Sequence, residues 1–341
     1  MSDQSWTVEK NEAGIRLDKW LSDARRLGSR SRAFAAIERG KVSINDVEQS
    51  AADAGRRLQS GEIVRLWMSR PGSSKVQSIS NRRVSGLHIV YEDDALLVIN
   101  KPQGLLTVNL ESQPDEPSLV KEVTAYLKKQ FRPSPHIIHR IDRDTSGLVV
   151  FAKTSTAREN LKAQFAAREP ERIYWAVVYG SPKNDEGVWR DWLRWNEKLL
   201  LQEPALSTDK KANEAICHYR VLEKFVIDRE GNTVSLLEIK LVTGKQNQIC
   251  FQAMQHGHQL IGEKRYIGTN TSRTEVKFSR QALHAYKLGF LHPRTKTQLQ
   301  FEAPLPPDFT DLLTQLRTLN TRSSSNSTSQ SRSSSSRHSR K

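Results

Sequence analysis

The chain has 341 residues, with 53 Lys+Arg against 38 Asp+Glu, a formal charge of +15 and a pI of about 9.9. That length allows two domains with proper cores, and that charge points to a polyanionic partner. Two cysteines, Cys217 and Cys250, exclude a disulfide framework or a zinc site of ordinary spacing, and no apolar run approaches the ~18 residues of a membrane helix. The N-terminus has neither the basic start nor the apolar core of a signal peptide, so the expectation is a cytoplasmic, monomeric protein without membrane contact. From Thr321 onward there are five Lys/Arg and no acid, which leaves +10 on the rest.

After an extension of residues 1–12, a first compact unit is expected over 13–68. Leu17, Trp20, Leu21 and Ala24 recur at helical spacing; Gly28 ends that helix and Ser29 caps the next, which buries Ala33, Phe34 and Ile37 and stops at Gly40. Val42 and Ile44 alternate as a strand, Asn45-Asp46 turns it, and Gly61 precedes a strand over 63–67. Between Ala13 and Asn45 eight basic residues stand against three acids. A charged face is usually only a solvated one, but this imbalance favours a surface that tracks phosphates.

The unit resembles the small RNA-binding fold of ribosomal protein S-four. The resemblance is carried by Arg16-Leu17-Asp18-Lys19-Trp20-Leu21, Ser29-Arg30-Ser31-Arg32-Ala33, and Ile37-Glu38-Arg39-Gly40-Lys41-Val42 with Asn45. It implies RNA contacts from Arg16, Lys19, Arg30, Arg32, Arg39 and Lys41.

Residues 69–86, with Pro71-Gly72-Ser73-Ser74, read as a linker. Over 87–318 a second unit begins with a hairpin, Leu87–Tyr91 and Leu96–Ile99, followed by a Pro/Gly turn and a helix capped by Ser118. The stretch His139-Arg140-Ile141-Asp142-Arg143-Asp144-Thr145-Ser146-Gly147 then leads into the apolar run Leu148–Ala152, so a loop crowded with ionisable groups enters a buried strand. Taken alone, an aspartate between arginines is more often a salt-bridged turn. Thr156 and Glu159 form a capping box, strands are expected near 173–179 and 234–242, and a helix from Gln248 is closed by Gly257. Strands over 282–291 and 297–302 complete an α+β domain on a mainly antiparallel, mixed sheet. The Ser/Arg-rich stretch 319–341 is too polar to fold alone and is expected to be a disordered basic tail.

No Gly-x-Ser-x-Gly elbow, Gly-x-Gly-x-x-Gly or phosphate loop is present, and neither His136/His139 nor His256/His258 has a third ligand at metal-site spacing. No metal and no cofactor are therefore expected.

The Asp142 loop resembles the signature of RluA-type RNA pseudouridine synthases, His-Arg-Leu-Asp-x-x-Thr-Ser-Gly-Leu, with Ile141 its one change. Asn100-Lys101-Pro102-x-Gly104-Leu105, Arg172-x-Tyr174-x-Ala176, Gln281–Ala285 and Phe301–Pro304 follow the same family in order. The resemblance implies isomerisation of uridine in structured RNA, ribosomal RNA or alternatively transfer RNA. Asp142 would attack the nucleotide or abstract a sugar proton, and Tyr174 would stack on the flipped base. Arg140 would fill the gap that the uridine leaves, with Arg143, Thr145 and Ile249 in support.

One segment departs from the family. Its motif Gly-Arg-Thr-His-Gln-Ile/Leu-Arg ends in an arginine that pairs with the aspartate, whereas this chain reads Gly244-Lys245-Gln246-Asn247-Gln248-Ile249-Cys250. Cysteine supplies no charge, and a buried carboxylate that loses its ionic partner costs about 3–5 kcal/mol. Lys245 and Arg140 are the expected substitutes. An RNA-binding protein that keeps the fold and has lost catalysis is the alternative; a DNA-binding regulator is suggested only by charge and two short helices.

Overall fold

The computed structural model describes residues 4–67, 79–84, 86–109, 111–130, 132–267 and 274–334. It divides into two compact units, Met1–Ile79 and Ser80–Lys341.

In the first unit, β1 (Gln4–Thr7), β2 (Val42–Ile44), β3 (Val47–Glu48) and β4 (Ile63–Leu66) form one sheet in the order β1-β4-β2-β3, with α1 (Leu17–Leu21) and α2 (Arg30–Glu38) in the same core. Leu17, Trp20 and Leu21 pack with Ala33, Ile37, Val42 and Val64. Ser29 caps α2 by accepting from the Arg32 N–H at 3.2 Å. Asn45 and Asp46 both take positive φ, the geometry of a tight hairpin turn. Two expectations shift. The first helix stops at Leu21 rather than Gly28: the Ser22 hydroxyl donates to the Lys19 carbonyl at 2.7 Å and Asp23 accepts from the Arg25 N–H at 2.9 Å, giving the backbone an alternative to the helix. Residues 4–7 of the expected extension are a strand paired with β4, and Val8 is buried.

In the second unit a twelve-stranded sheet runs β12-β11-β13-β14-β10-β15-β9-β7-β6-β5, with β16 on β15 and β8 on β9. The strands are β5 (Ile79–Val84), β6 (Leu87–Glu92), β7 (Leu96–Lys101), β8 (His136–Ile137), β9 (Ser146–Ala152) and β10 (Glu171–Tyr179). Then come β11 (Glu186–Asn196), β12 (Leu201–Pro204), β13 (Asn213–Val226), β14 (Thr233–Leu241), β15 (Leu283–Leu291) and β16 (Gln298–Glu302). The helices are α3 (Leu119–Lys129), α4 (Ser155–Ala166), α5 (Gln248–Gln255) and α6 (Pro307–Ser334). The architecture is the expected α+β one. Every residue of β9 is buried: Val149 and Phe151 join the core under α3, while Leu148, Val150 and Ala152 join the core under α4. The Leu, Val and Phe side chains each contribute roughly 1.5–3 kcal/mol on burial, which anchors the loop that precedes them.

Three further expectations move. The cap of α4 is Thr154, extended and accepting from the Ala157 N–H at 3.2 Å, so Thr156 lies within the first turn. Residues 69–78 and 85 of the expected linker lie outside the described residues, but 79–84 form β5 on the edge of the large sheet. The stretch 319–341, expected to be a disordered tail, continues a helix through Ser334. Phe309, Leu312, Leu313 and Leu316 seat its start against Val177, Phe225 and Leu236, no proline or glycine follows Pro307, and α6 runs to Ser334. Residues 335–341 of the tail lie outside the described residues.

Candidate active site

The Asp142 loop is held from three sides. Lys101, fully buried at the end of β7, donates from Nζ to the carbonyls of Pro102 (2.8 Å), Leu105 (2.7 Å) and Arg143 (2.8 Å). Burial pushes its pKa down to about 7, yet three carbonyl acceptors call for all three ammonium protons, so the loop favours the charged form. The Thr107 hydroxyl donates to the Ile141 carbonyl at 2.7 Å. Arg280, 6% exposed, donates from Nη1 to the Asp144 carbonyl (2.8 Å) while its Nε grips Asp308 of α6 at 2.7 Å. His284 on β15 meets the Ser146 hydroxyl at 2.9 Å; burial brings its pKa down to about 4, so the ring is neutral.

Gly147 completes the clamp. It pairs with Ala285 where β9 and β15 run parallel, at φ +116°, and a Cβ there would lie 2.2 Å from the Ala285 carbonyl oxygen. Only glycine fits.

The loop forms one wall of a cleft of about 590 Å³, lined also by Tyr174, Arg172, Phe165 and the 241–250 segment. Tyr174 sits where the register between β10 and β15 shifts, a bulge that re-aims a side chain. It is buried, and burial pushes its hydroxyl up to about 12, so it stays protonated at neutral pH. His139 is stacked on Phe165 at 4.9 Å, its Nε2 accepts from the Val150 N–H at 3.2 Å, and burial takes its pKa down to about 3.

Asp142 is half-buried and burial raises its pKa; the charges of Arg140, then Arg265, then Lys101 oppose that rise, and Glu263 adds to it. Among the described residues no lysine or arginine nitrogen lies within 4.0 Å of its carboxylate. Among the described residues its one side-chain hydrogen-bond partner is Asn247, whose Nδ2 donates to Oδ2 at 3.1 Å. Asn247 holds left-handed φ, which asparagine tolerates, at the start of α5, and its Oδ1 is buried without a partner. Cys250 is 1% exposed; burial raises its thiol well above the ordinary value, and the nearby charges of Glu263 and Asp142 add to that. The thiol is neutral and is no nucleophile.

Of the residues singled out from sequence, Arg140, Asp142, Thr145, Tyr174, Lys245, Ile249 and Cys250 line this one cleft. Arg143 does not: its guanidinium turns outward to Glu116, with Nη2 at 3.0 Å from Oε2, and only its carbonyl serves the loop. Lys245 is no substitute for the missing arginine, because its Nζ donates to Asn213 at 3.0 Å. Arg140 and Arg265, an exposed residue with no motif to mark it, act on Asp142 only through their charge, without an ion pair. Lys101, Thr107, Asn247 and Arg280 were also missed as site residues. Lys101 and Asn247 lie inside the matched segments; Thr107 and Arg280 show themselves only through tertiary contacts.

On the first unit, Asp18 is buried and gathers two arginines, Arg16 Nε at 3.1 Å and Arg30 Nε at 3.1 Å. Burial alone would raise Asp18's pKa; the two guanidiniums outweigh it and hold the pKa low. Arg16 and Arg30 stay 48% and 59% exposed. Lys19, Arg32 and Arg39 are exposed with no ion pair among the described residues, and Lys41 is half-buried.

A family model described as RNA pseudouridylate synthase matches residues 95–254. The chain is 34% identical to an uncharacterised RNA pseudouridine synthase of Synechocystis sp., over 91% of each protein. It is 33% identical to an uncharacterised RNA pseudouridine synthase of Bacillus subtilis, over 91% of this chain and 97% of that one. To the ribosomal large subunit pseudouridine synthase D of Zymomonas mobilis it is 32% identical, over 90% and 96% respectively. Among solved structures, the human RNA Pseudouridylate Synthase Domain Containing 4 superposes with a TM-score of 0.54 at 20% identity, over 67% of this chain and 92% of that one, a likeness of fold.

Proposed function

Because this chain belongs to the RNA pseudouridine synthase family, we propose that Asp142 isomerises uridines of large-subunit ribosomal RNA. What carries the reading is Asp142 itself, fixed by Lys101, Thr107 and Arg280 in a cleft that also holds the protonated Tyr174 hydroxyl. An ionised Asp142 attacks the flipped nucleotide or takes a proton from its sugar; the base detaches, turns and rejoins the sugar through carbon. Tyr174 stacks on the base and, as a neutral hydroxyl, hydrogen-bonds to it during proton transfer at C5. Arg140, exposed at the cleft, occupies the space the uridine vacates. The isomerisation is redox-neutral and releases nothing, so it needs no cofactor.

The first unit, in this reading, is an S-four-like RNA-binding module over residues 13–68, with Arg16, Lys19, Arg30, Arg32, Arg39 and Lys41 on phosphates. Large-subunit ribosomal RNA is favoured by the names of several relatives, including that of Zymomonas mobilis. The protein acts as a cytoplasmic monomer; its two cysteines are both free thiols.

The alternative, an RNA-binding protein with impaired catalysis, rests on the raised pKa of Asp142 and the neutral Cys250 beside it. Pseudouridine mapping of ribosomal and transfer RNA from cells with and without the gene separates the two. Sites in large-subunit RNA that vanish with the gene and return with the wild-type protein, but not with Asp142→Ala, support the enzyme. A pseudouridine map unchanged by loss of the gene supports the alternative.

A further inference from the structure

Among the described residues three arginines carry a buried Nε with no partner: Arg26, Arg82 and Arg172. The first two are neutralised all the same. Arg26 meets Glu12 at 2.5 Å and Arg82 meets Glu92 at 3.3 Å. Arg172 has no carboxylate. Its single hydrogen bond among the described residues is from Nη2 to the Val242 carbonyl at 3.1 Å, and its neighbours include the Phe165 ring at 5.8 Å and the neutral His139 and Tyr174. It lines the same cleft as Asp142, but it is not among the charges that act most strongly on that carboxylate.

A half-buried guanidinium whose Nε is cut off from solvent, with no counter-charge, is costly unless an anion completes it. A planar fork of this kind matches phosphate oxygens well. The backbone has also been cleared for it. Gly244 does not need glycine for its own φ, but a Cβ there would lie 2.6 Å from Arg172 Nη1. A side chain at 244 would therefore push the flexible end of Arg172 out of its present place.

We propose that Arg172 is the phosphate-binding residue of the cleft, taking the phosphate of the nucleotide presented to Asp142. The proposal rests on the synthase reading for the identity of the nucleotide, but not for the anion subsite. Asp142 does the chemistry while Arg172 fixes where the sugar lies, and Gly244 fixes where Arg172 lies.

The test uses the full-length protein and three probes: inorganic phosphate, uridine 5′-monophosphate and uridine. Binding is read on the arginine Nε–H resonances by NMR, with the Arg172 signal assigned by its loss in Arg172→Gln. Phosphate and the monophosphate should shift that signal, and uridine should not. The monophosphate should bind tenfold or more weakly to Arg172→Gln, with uridine unchanged and Arg172→Lys recovering part of the loss. Gly244→Ala keeps the charge but displaces the fork, and should behave as Arg172→Gln does, with a thermal melt confirming that each variant is folded. An Arg172 signal unmoved by saturating phosphate, or equal monophosphate binding by wild type and Arg172→Gln, overturns the proposal. Isomerase activity is measured separately: its absence on every RNA alongside an intact Arg172 response would sink the synthase reading and leave the anion subsite standing.

Discussion

The Asp142 loop and the basic face of the first unit both place carboxylates among arginines, and they use them in opposite ways. On the first unit a buried aspartate, Asp18, organises exposed cations: Arg16 and Arg30 each spend part of a guanidinium on it and keep about half their surface in solvent. In the cleft the cations and hydroxyls are buried and organise the aspartate, with Lys101, Thr107 and Arg280 all donating to loop carbonyls rather than to the carboxylate. The Asp142 charge is thus positioned by the backbone and only weakly neutralised. Cations held at a surface suit tracking a polyanion, whereas a carboxylate held without a tight ion pair suits reaction.

The contrast can be broken at its most rigid point. Gly147→Ala forces a Cβ into the Ala285 carbonyl and should cost about 3 kcal/mol or more, seen as a lower denaturation midpoint at constant m-value. A variant as stable as wild type would mean that β9 and β15 can separate without harm.

Asp142→Asn tests how far the charge is left uncompensated. A carboxylate whose folded pKa lies above its ordinary 3.8 stabilises the fold only below that range, and the contribution is lost as pH rises through the folded value. The variant should therefore melt about 2–4 °C higher than wild type at pH 7, with the gap closing as pH falls towards 3.8. A variant that melts lower at pH 7 would show that the ionised carboxylate is well paired.

Cys250→Arg sharpens the comparison by restoring a cation beside Asp142 and Glu263. If activity needs the ionised carboxylate, as proposed, it should rise with pH through the raised pKa, and the added charge should move that limb about one pH unit or more towards acid. An unmoved profile would remove the Cys250 position from the electrostatics of the site. On the first unit, Lys19→Ala, Arg32→Ala or Arg39→Ala should each weaken RNA binding modestly and lower the salt slope by about 0.7–0.9 if its cation meets a phosphate. Unchanged slopes would return that face to an ordinary solvated one.

Much of this was legible from residues because local chemistry fixed it. Ser29, Ser118, Asn45-Asp46 and Gly257 mark their caps and turns without tertiary help, and the polar-to-apolar switch at Ser146 announced a buried strand after a charged loop. Regions with mixed periodicity were not: β11 and β13 carry Arg, Trp, Glu and His on an exposed face, and β1 and β5 are held by edge pairing that no pattern in their own residues encodes. The site divided in the same way. Asp142 and Tyr174 sit in matched motifs, whereas Arg265, Thr107 and Arg280 reach the loop from 34 to 136 residues away or from an unmarked turn. Arg143 looked like support by adjacency, but Glu116 draws its side chain off the site.

Tritium release from large-subunit ribosomal RNA carrying 5-tritiated uridine tests the central claim most directly. Wild-type protein should release tritium, and Asp142→Ala should fall by at least about 10²–10⁴-fold while binding the same RNA with unchanged affinity. Equal release from the two proteins, or none from the wild type on any cellular RNA, would contradict the assignment of Asp142 as the reacting carboxylate.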